Sequence, residues 1–497
     1  MADIRLDKAR QIKYWQRCHG SYLPSPYTSA DSTRLMWACF IHSAFDVLDV
    51  AVPAGWGAPT KDGVKGNYNG TVRSWVLSLQ HPDGGFCGSP NHAFTGQQAG
   101  KGQANLAATF FALILLAVVG GGDGSAAFAG VRRRKLLRWL RRLQRGDGSF
   151  GQNLWEGEAV GGRDTRHSYL ASGIRWMIRG DVKPGDEAWE EDIDVQGMVA
   201  HIRRLQGYDG GLAELSEHES HAGYVYCAIA ALSLLDRSDS DSDSVMAQGI
   251  SERDSLLKFL ASRQMAYLVE EEDEDDEEGG ENFVQAGLES MTLDDTSRYV
   301  GFNGRWNKKA DSCYAWWTIG TLGMLGDPFP VSATASRRHL IEVMQHQIGG
   351  FSKTAGAPPD LYHSYLGLAA LATMGDEDLK AFEVSLCCSK ETVGKIEKAR
   401  DGLLASSVNN WADDGFWDAS QQGPNGEGGP WDDGTRRRFE TERREELTAR
   451  RKSKSEFYDP CQEAAQRSYK CLFRNDGDKA MCTEYFQYGV PRLQKGL

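Results

Sequence analysis

The sequence predicts an all-α protein whose helices close into an α/α barrel, a toroid of about six inner and six outer helices, followed by an irregular C-terminal extension. Three observations carry this. A ten-residue signature recurs as LQHPDGGFCG at 79–88, LQRGDGSFGQ at 143–152, LQGYDGGLAE at 205–214 and MQHQIGGFSK at 344–353, with a degenerate copy split between Gln264 and VGFNG at 300–304. The spacing of Gln80, Gln144 and Gln206 is nearly constant, which marks stacked supersecondary units. Charged runs such as RRRKLLRWLRRLQR precede the turns, and apolar runs such as ANLAATFFALILLAVV and HAGYVYCAIAALSLL follow them. A helix apolar on all sides must be buried, whereas a charged one can face water, so the two kinds form concentric layers.

Taken in order, Arg10 to Val50 holds two helical runs, YWQRC and RLMWACFIHSAFDVL, separated by the polar stretch Ser21 to Asp31; two antiparallel helices follow from that spacing. Each signature ends a helix at Gln and turns at glycine, which supplies positive φ. His201 and His339 fall on charged, outer-type helices and are expected at the surface. The run EEEDEDDEE at 270–278 is too charged to pack, so 268–296 reads as a solvated loop insertion. Its DEDD imitates the Asp-x-Asp-Asp proton donor of terpene cyclases, but a proton donor must be desolvated and positioned, and this run is neither. The barrel is expected over 1–405, and 406–455 reads as a linker, disordered or a charged helix. The last stretch, 456–497, has a cysteine chemistry of its own.

At 497 residues the chain exceeds the usual single domain. A net charge of -13 argues against nucleic acid as a partner. The apolar run from Leu106 to Val119 is too short for a membrane span, and MADIRLDKARQIKYW lacks a signal or transit pattern, which points to a cytoplasmic barrel. Seven of the ten cysteines precede residue 400 without disulfide-like spacing, as suits a reducing compartment.

The chemistry concentrates in VGFNGRWNKKADSCYAWW at 300–317. Asp311 and Cys313 are ligand types for zinc, but a closed structural site needs four ligands, so two neighbours imply an open site completed from a distance. Read singly, Cys313 is a small buried hydrophobe and Asp311 a helix cap. His363, in PPDLYHSYLGLAAL, opens the next inner helix at the equivalent place in the repeat and is the third ligand candidate. One position would remain for a substrate thiol, whose pKa a cation lowers. His221, with Ala222 and Gly223 at the same helix start, joins Arg305, Lys308 and Tyr314 as an anion site. A planar guanidinium and a compact ammonium together suit a diphosphate. Arg166, Tyr169, Tyr224, Cys227 and Trp317 would line an aromatic funnel beside it, although each alone reads as core.

Over roughly 5–400 the chain resembles the β subunits of protein prenyltransferases. Their diagnostic string Gly-Arg-x-Asn-Lys-x-x-Asp-x-Cys-Tyr-x-x-Trp stands here as GRWNKKADSCYAWW. The resemblance implies one zinc ion on Asp311, Cys313 and His363, and a diphosphate clamp of His221, Arg305, Lys308 and Tyr314. It also implies an obligate α subunit, and isoprenoid transfer to the cysteine of CaaX proteins such as small GTPases. Ten residues before His363, Lys353 stands where the farnesyl and Rab enzymes resemble each other in carrying a magnesium-binding Asp. An ammonium there neutralises the leaving group without Mg2+, so the chain looks like the geranylgeranyl type I branch, which acts on CaaX with X = Leu. Met36, or Trp37 by a one-residue shift, and Leu366 stand where bulkier aromatics shorten the farnesyl pocket, although Trp37 would crowd it. A farnesyl β subunit, a terpene cyclase on the same barrel and a non-catalytic prenyl-binding scaffold are the alternatives. Cys461, Cys471 and Cys482 resemble a partial CX9C mitochondrial assembly-factor hairpin, with Arg492 in the place of the fourth cysteine. That motif belongs to an oxidising compartment, so the tail reads as appended or mis-joined.

Overall fold

The computed structural model describes residues 5–21, 23–52, 68–236, 244–266, 300–327 and 330–409. The chain divides into two units, Met1–Phe416 and Trp417–Leu497, and every described residue lies in the first. The acidic insertion, the linker beyond 409 and the three tail cysteines therefore lie outside the described residues.

Outer helix α1 (Lys8–Gly20), the short α2 (Ser25–Ser29) and inner helix α3 (Arg34–Val47) open the fold. Outer and inner helices then alternate: α4 (Tyr68–Ser78) with α5 (Leu106–Val118), α6 (Arg133–Arg142) with α7 (Thr165–Ile178), and α8 (Val195–Arg204) with α9 (Ala222–Leu235). The short α10 (Val245–Gly249) leads to α11 (Arg253–Ala261) and inner α12 (Cys313–Leu325). Last come α13 (Ala333–Arg338), continued by a π-helical turn His339–Met344, inner α14 (Leu361–Thr373) and α15 (Lys390–Asn409). The inner helices touch in the order α3, α5, α7, α9, α12, α14, and α14 packs back on α3. The predicted ring is thus closed. Helix α2 is an addition to the expected pair, started by the prolines at 24 and 26, whose fixed φ suits a first helical turn.

The structure explains the repeated Gln. Four of the five clamp the chain that leads into the next outer helix: Gln80 accepts from Arg132 N (2.8 Å), Gln144 from Asp194 N (2.7 Å), Gln206 from Ser251 N (2.9 Å) and Gln264 from Ser332 N (2.7 Å), whereas Gln345 accepts from the Gln11 side chain on α1 (3.3 Å). The glycines act at the same joints. At Gly84, Gly148, Gly210 and Gly349, all with positive φ, an added Cβ would lie within 2.5 Å of backbone at Lys135, Gly197, Ser255 and Arg10 respectively. The fourth of these contacts joins the last repeat to α1.

Short strands finish the turns. β1 (Phe86–Cys87), β2 (Ala104–Asn105), β3 (Asn153–Trp155) and β4 (Glu158–Val160) form one antiparallel sheet. β5 (Gln264–Ala266) pairs with β6 (Val300–Phe302), Gln264 opposite Phe302, which rejoins the split repeat across the insertion. β7 (Phe382–Glu383) pairs with β8 (Cys388–Ser389). This last hairpin is tied to the C-terminal end of α3, where Asp46 accepts from Ser389 Oγ (2.5 Å) and Thr392 Oγ1 (2.9 Å). The starts of inner helices α9, α12 and α14 meet at one mouth of the barrel.

Two histidines correct the sequence reading. His201 and His339 are buried rather than at the surface, 5% and 2% exposed. Each lies on the inward face of an outer helix, and His201 donates from Nε2 to the carbonyl of Arg163 (2.8 Å).

Candidate functional site

The site is built from helix caps. An inner helix begins with unpaired N–H groups that a preceding side chain must satisfy, so the first residues of these helices carry Asp and His. Asp311 Oδ1 accepts from Cys313 N (2.9 Å), and Asp360 Oδ1 accepts from His363 N (2.9 Å). Ser312 binds the neighbouring repeat through Ser352 O (2.6 Å) and Lys353 O (3.0 Å), which draws the starts of α12 and α14 together. His363 Nε2 consequently stands 3.2 Å from Asp311 Oδ1, and the donor atoms of Asp311, Cys313 and His363 all lie within 4.8 Å of one another.

Charge at this cluster is strongly coupled. Burial would raise the Asp311 carboxyl, but hydrogen bonds with His363 and Cys313 hold it below its usual value. Burial and the adjacent Asp311 push the Cys313 thiol well up. Burial opposes protonation of His363, yet Asp311 and Asp360 raise it to about 9. A cation among these donors would replace two protons. One oxygen, one sulfur and one nitrogen donor fit a catalytic zinc site, which takes three protein ligands.

Next to the cluster, His221 caps α9 by accepting from Gly223 N at Nδ1 (3.0 Å), so its proton is on Nε2, which donates to Tyr314 Oη (3.0 Å). Burial, then the cations Arg305 and Arg166, lower His221 to about 4. The imidazole is neutral, and the Tyr314 proton is left free to donate elsewhere. Gly304 makes this possible, since a Cβ there would come within 2.2 Å of the Tyr314 ring, and its carbonyl accepts from Ala222 N (3.0 Å). Arg305 pairs with Glu219 (3.4 Å) at the surface, and Lys308 is exposed, with no ion-pair partner among the described residues. Lys353 is exposed, and its positive charge works against the upward push on the Cys313 thiol.

The Prenyltransferase alpha-alpha toroid domain family matches residues 6–388. The chain belongs to this family. It is 30% identical over 75% of its length to the geranylgeranyl transferase type-1 subunit beta of Arabidopsis thaliana, covering 86% of that protein. It is 28% identical over 80% of its length to the protein farnesyltransferase subunit beta of Pyricularia oryzae, covering 70% of that one. Candida albicans protein geranylgeranyltransferase-I complexed with GGPP superposes with a TM-score of 0.61 at 24% identity, over 80% of this chain and 99% of that one, a likeness of fold. Among the described residues no helix of this toroid is long and apolar enough to cross a membrane.

Inside the toroid an aromatic wall takes a side chain from every inner helix. Ring centroids run Phe40 to Phe111 (5.4 Å), Phe110 to Tyr169 (5.2 Å), Tyr169 to Tyr226 (5.7 Å), Tyr226 to Trp317 (4.9 Å) and Trp317 to Tyr362 (6.4 Å). Tyr365 stacks on Phe40 at 4.8 Å and completes the circuit. Of the residues expected here, Trp317 and Tyr224 are half-buried, and Tyr169, Cys227 and Leu366 are buried. Arg166 keeps its place beside Tyr224 but is not buried. It stands exposed at the rim, held by Asp164 through two hydrogen bonds (2.7 and 3.0 Å) and lying over the Tyr224 ring (5.5 Å). Met36 is half-buried, whereas Trp37 joins the wall through Phe40 (6.0 Å) and Tyr27 (5.1 Å).

Sequence reasoning missed Asp360, Tyr362 and the Phe40, Phe110 and Phe111 group. The Asp-x-x-His spacing at 360–363 was a usable signal for the first. Nothing local distinguished the aromatics from core.

Proposed function

We propose that this toroid is the catalytic β subunit of a protein geranylgeranyltransferase type I, moving geranylgeranyl from its diphosphate to the cysteine of a C-terminal CaaX sequence with X = Leu. The supporting observation is that three metal-ligand types meet at one barrel mouth, beside the His221–Tyr314 pair and above the aromatic wall. Zinc held by Asp311, Cys313 and His363 would supply a Lewis acid that lowers the pKa of the acceptor thiol.

The chain's own residues do the rest. His221 holds the Tyr314 oxygen, so the Tyr314 hydroxyl donates to the departing diphosphate, and Arg305 and Lys308 neutralise its charge. Arg305 gives up Glu219 to do so. Lys353 supplies positive charge in place of Mg2+, which is not required. The isoprenoid lies along the wall, which excludes water from the reacting carbon. An α subunit as obligate partner, CaaX-bearing small GTPases as acceptors and a cytoplasmic location belong to the same proposal.

The test is co-expression with an α subunit and transfer of labelled geranylgeranyl or farnesyl to a CaaL peptide, with and without magnesium. Geranylgeranyl preference, stoichiometric zinc and indifference to magnesium are the expected results. A strict magnesium requirement would remove the role given to Lys353. One observation favours a farnesyl-type β subunit as the second reading: the Trp37 indole in the wall would shorten the tunnel, and farnesyl preference in the same assay would select it.

A further inference from the structure

We infer that Arg263 is a positioning residue for the diphosphate, holding through Trp306 the turn that presents Arg305 and Lys308. This rests on the reading that those two cations receive an isoprenoid diphosphate. In four copies of the signature the residue before the recurrent Gln is apolar and buried: Leu79, Leu143, Leu205 and Met344 are at most 4% exposed. In the fifth copy, whose turn carries the two cations, the same position is Arg263, 0% exposed. The backbone frame is unaltered, since Arg263 O accepts from Asn303 N (3.0 Å) as Leu79 O accepts from Cys87 N (2.9 Å). A leucine would fill this place without the cost of burying a guanidinium, so the exchange calls for a reason other than packing.

That reason is what the guanidinium touches. Its carbon lies 4.1 Å from the Trp306 ring centroid and 4.7 Å from that of Phe259. Nε donates to Phe259 O (3.3 Å) and Nη2 to Ser262 Oγ (3.2 Å), which anchors the group to the end of α11. Nη1 is buried with no hydrogen-bond partner among the described residues, so hydrogen bonding alone does not account for the residue. Burial works against its charge, whereas Asp209 and Glu219 favour it. A planar cation stacks well on indole, and Trp306, 48% exposed, stands between Arg305 and Asn307. The turn is tied at its ends, where Gly304 O accepts from Ala222 N (3.0 Å) and Lys308 O from Asn303 Nδ2 (3.2 Å). Trp306 resting on Arg263 fixes its middle.

The experiment uses the complex with its α subunit and measures the Kd of a fluorescent geranylgeranyl diphosphate analogue and of geranylgeraniol, which lacks the charge. Arg263→Met installs the residue type that the last repeat carries at this place, so Tm and zinc content should hold. The diphosphate Kd should rise about tenfold, and the geranylgeraniol Kd should stay unchanged. Trp306→Ala should give the same rise, and combining it with Arg263→Met should cost nothing further, because one residue acts through the other. Trp306→Tyr keeps a ring for the guanidinium and should retain most of the affinity. An unchanged diphosphate Kd in Arg263→Met overturns the inference, as do an equal loss for geranylgeraniol and additive losses in the double variant. Should Arg263→Met not fold, Trp306→Ala against Trp306→Tyr decides, and equal affinity of these two overturns it. If the wild-type complex does not bind the diphosphate, the functional reading fails and the inference with it. Wild-type binding that every variant matches overturns the inference alone.

Discussion

His363 is held between two carboxylates, with Nδ1 2.5 Å from Asp360 Oδ2 and Nε2 3.2 Å from Asp311 Oδ1. The Asp360 contact fixes the ring and makes Nε2 the ligating atom, as carboxylates behind metal-bound histidines do. Asp360→Asn should weaken zinc about 10- to 100-fold, read by competition with a chelator. Zinc affinity equal to wild type would make Asp360 a helix cap only.

The same coupling gives zinc uptake a steep pH dependence. Metal binds the deprotonated forms of His363 and Cys313, both of which are raised, so protons compete and affinity falls as pH falls. For the metal-free protein the sign is opposite. A histidine raised to about 9 stabilises the fold fully below its unfolded value of about 6.5, and this contribution is lost as pH climbs through 9. The zinc-induced rise in Tm should therefore grow between pH 6.5 and 9. A rise that shrinks over this range would contradict the assignment.

Gly304→Ala should drive the Tyr314 ring from His221, because the new methyl would lie within 2.2 Å of it. Overpacking of this kind costs about 1–3 kcal/mol. Binding of a fluorescent isoprenoid diphosphate should weaken while zinc content holds. Parallel loss of both would mean general unfolding.

Tyr314→Phe keeps the ring and removes the donor. If Tyr314 acts on the departing diphosphate, kcat should fall by about 10²-fold with KM little changed. A rise in KM alone, at constant kcat, would mark it as a binding group.

Gln206→Ala removes three bonds to the chain entering α11, from Ser251 N (2.9 Å) and Glu252 N (3.1 Å) and to Glu252 O (3.1 Å). A loss of about 1–3 kcal/mol in denaturant unfolding is expected, with the site untouched. No loss would mean that the recurrent Gln does not hold the joints.

By itself the sequence determined the toroid and the rim of the site. A Gln-turn-Gly unit repeated along the chain can bury its apolar helices only by stacking on its neighbours, so period and alternation sufficed for the ring. Asp311, Cys313, His363 and His221 were legible because each sits at the start of an inner helix, where the repeat frame maps sequence position onto one mouth. Three things waited for the tertiary structure. The burial of His201 and His339 depends on which side of an outer helix faces inward. The pairing of Arg166 with Asp164 depends on rotamers at the rim. The seat of the Phe382–Ser389 hairpin depends on contacts with α3 and α9, far earlier in the chain. Contacts such as Tyr226 with Val384, more than 150 residues apart, leave no periodic trace in a chain, because period records only what each unit does to the next.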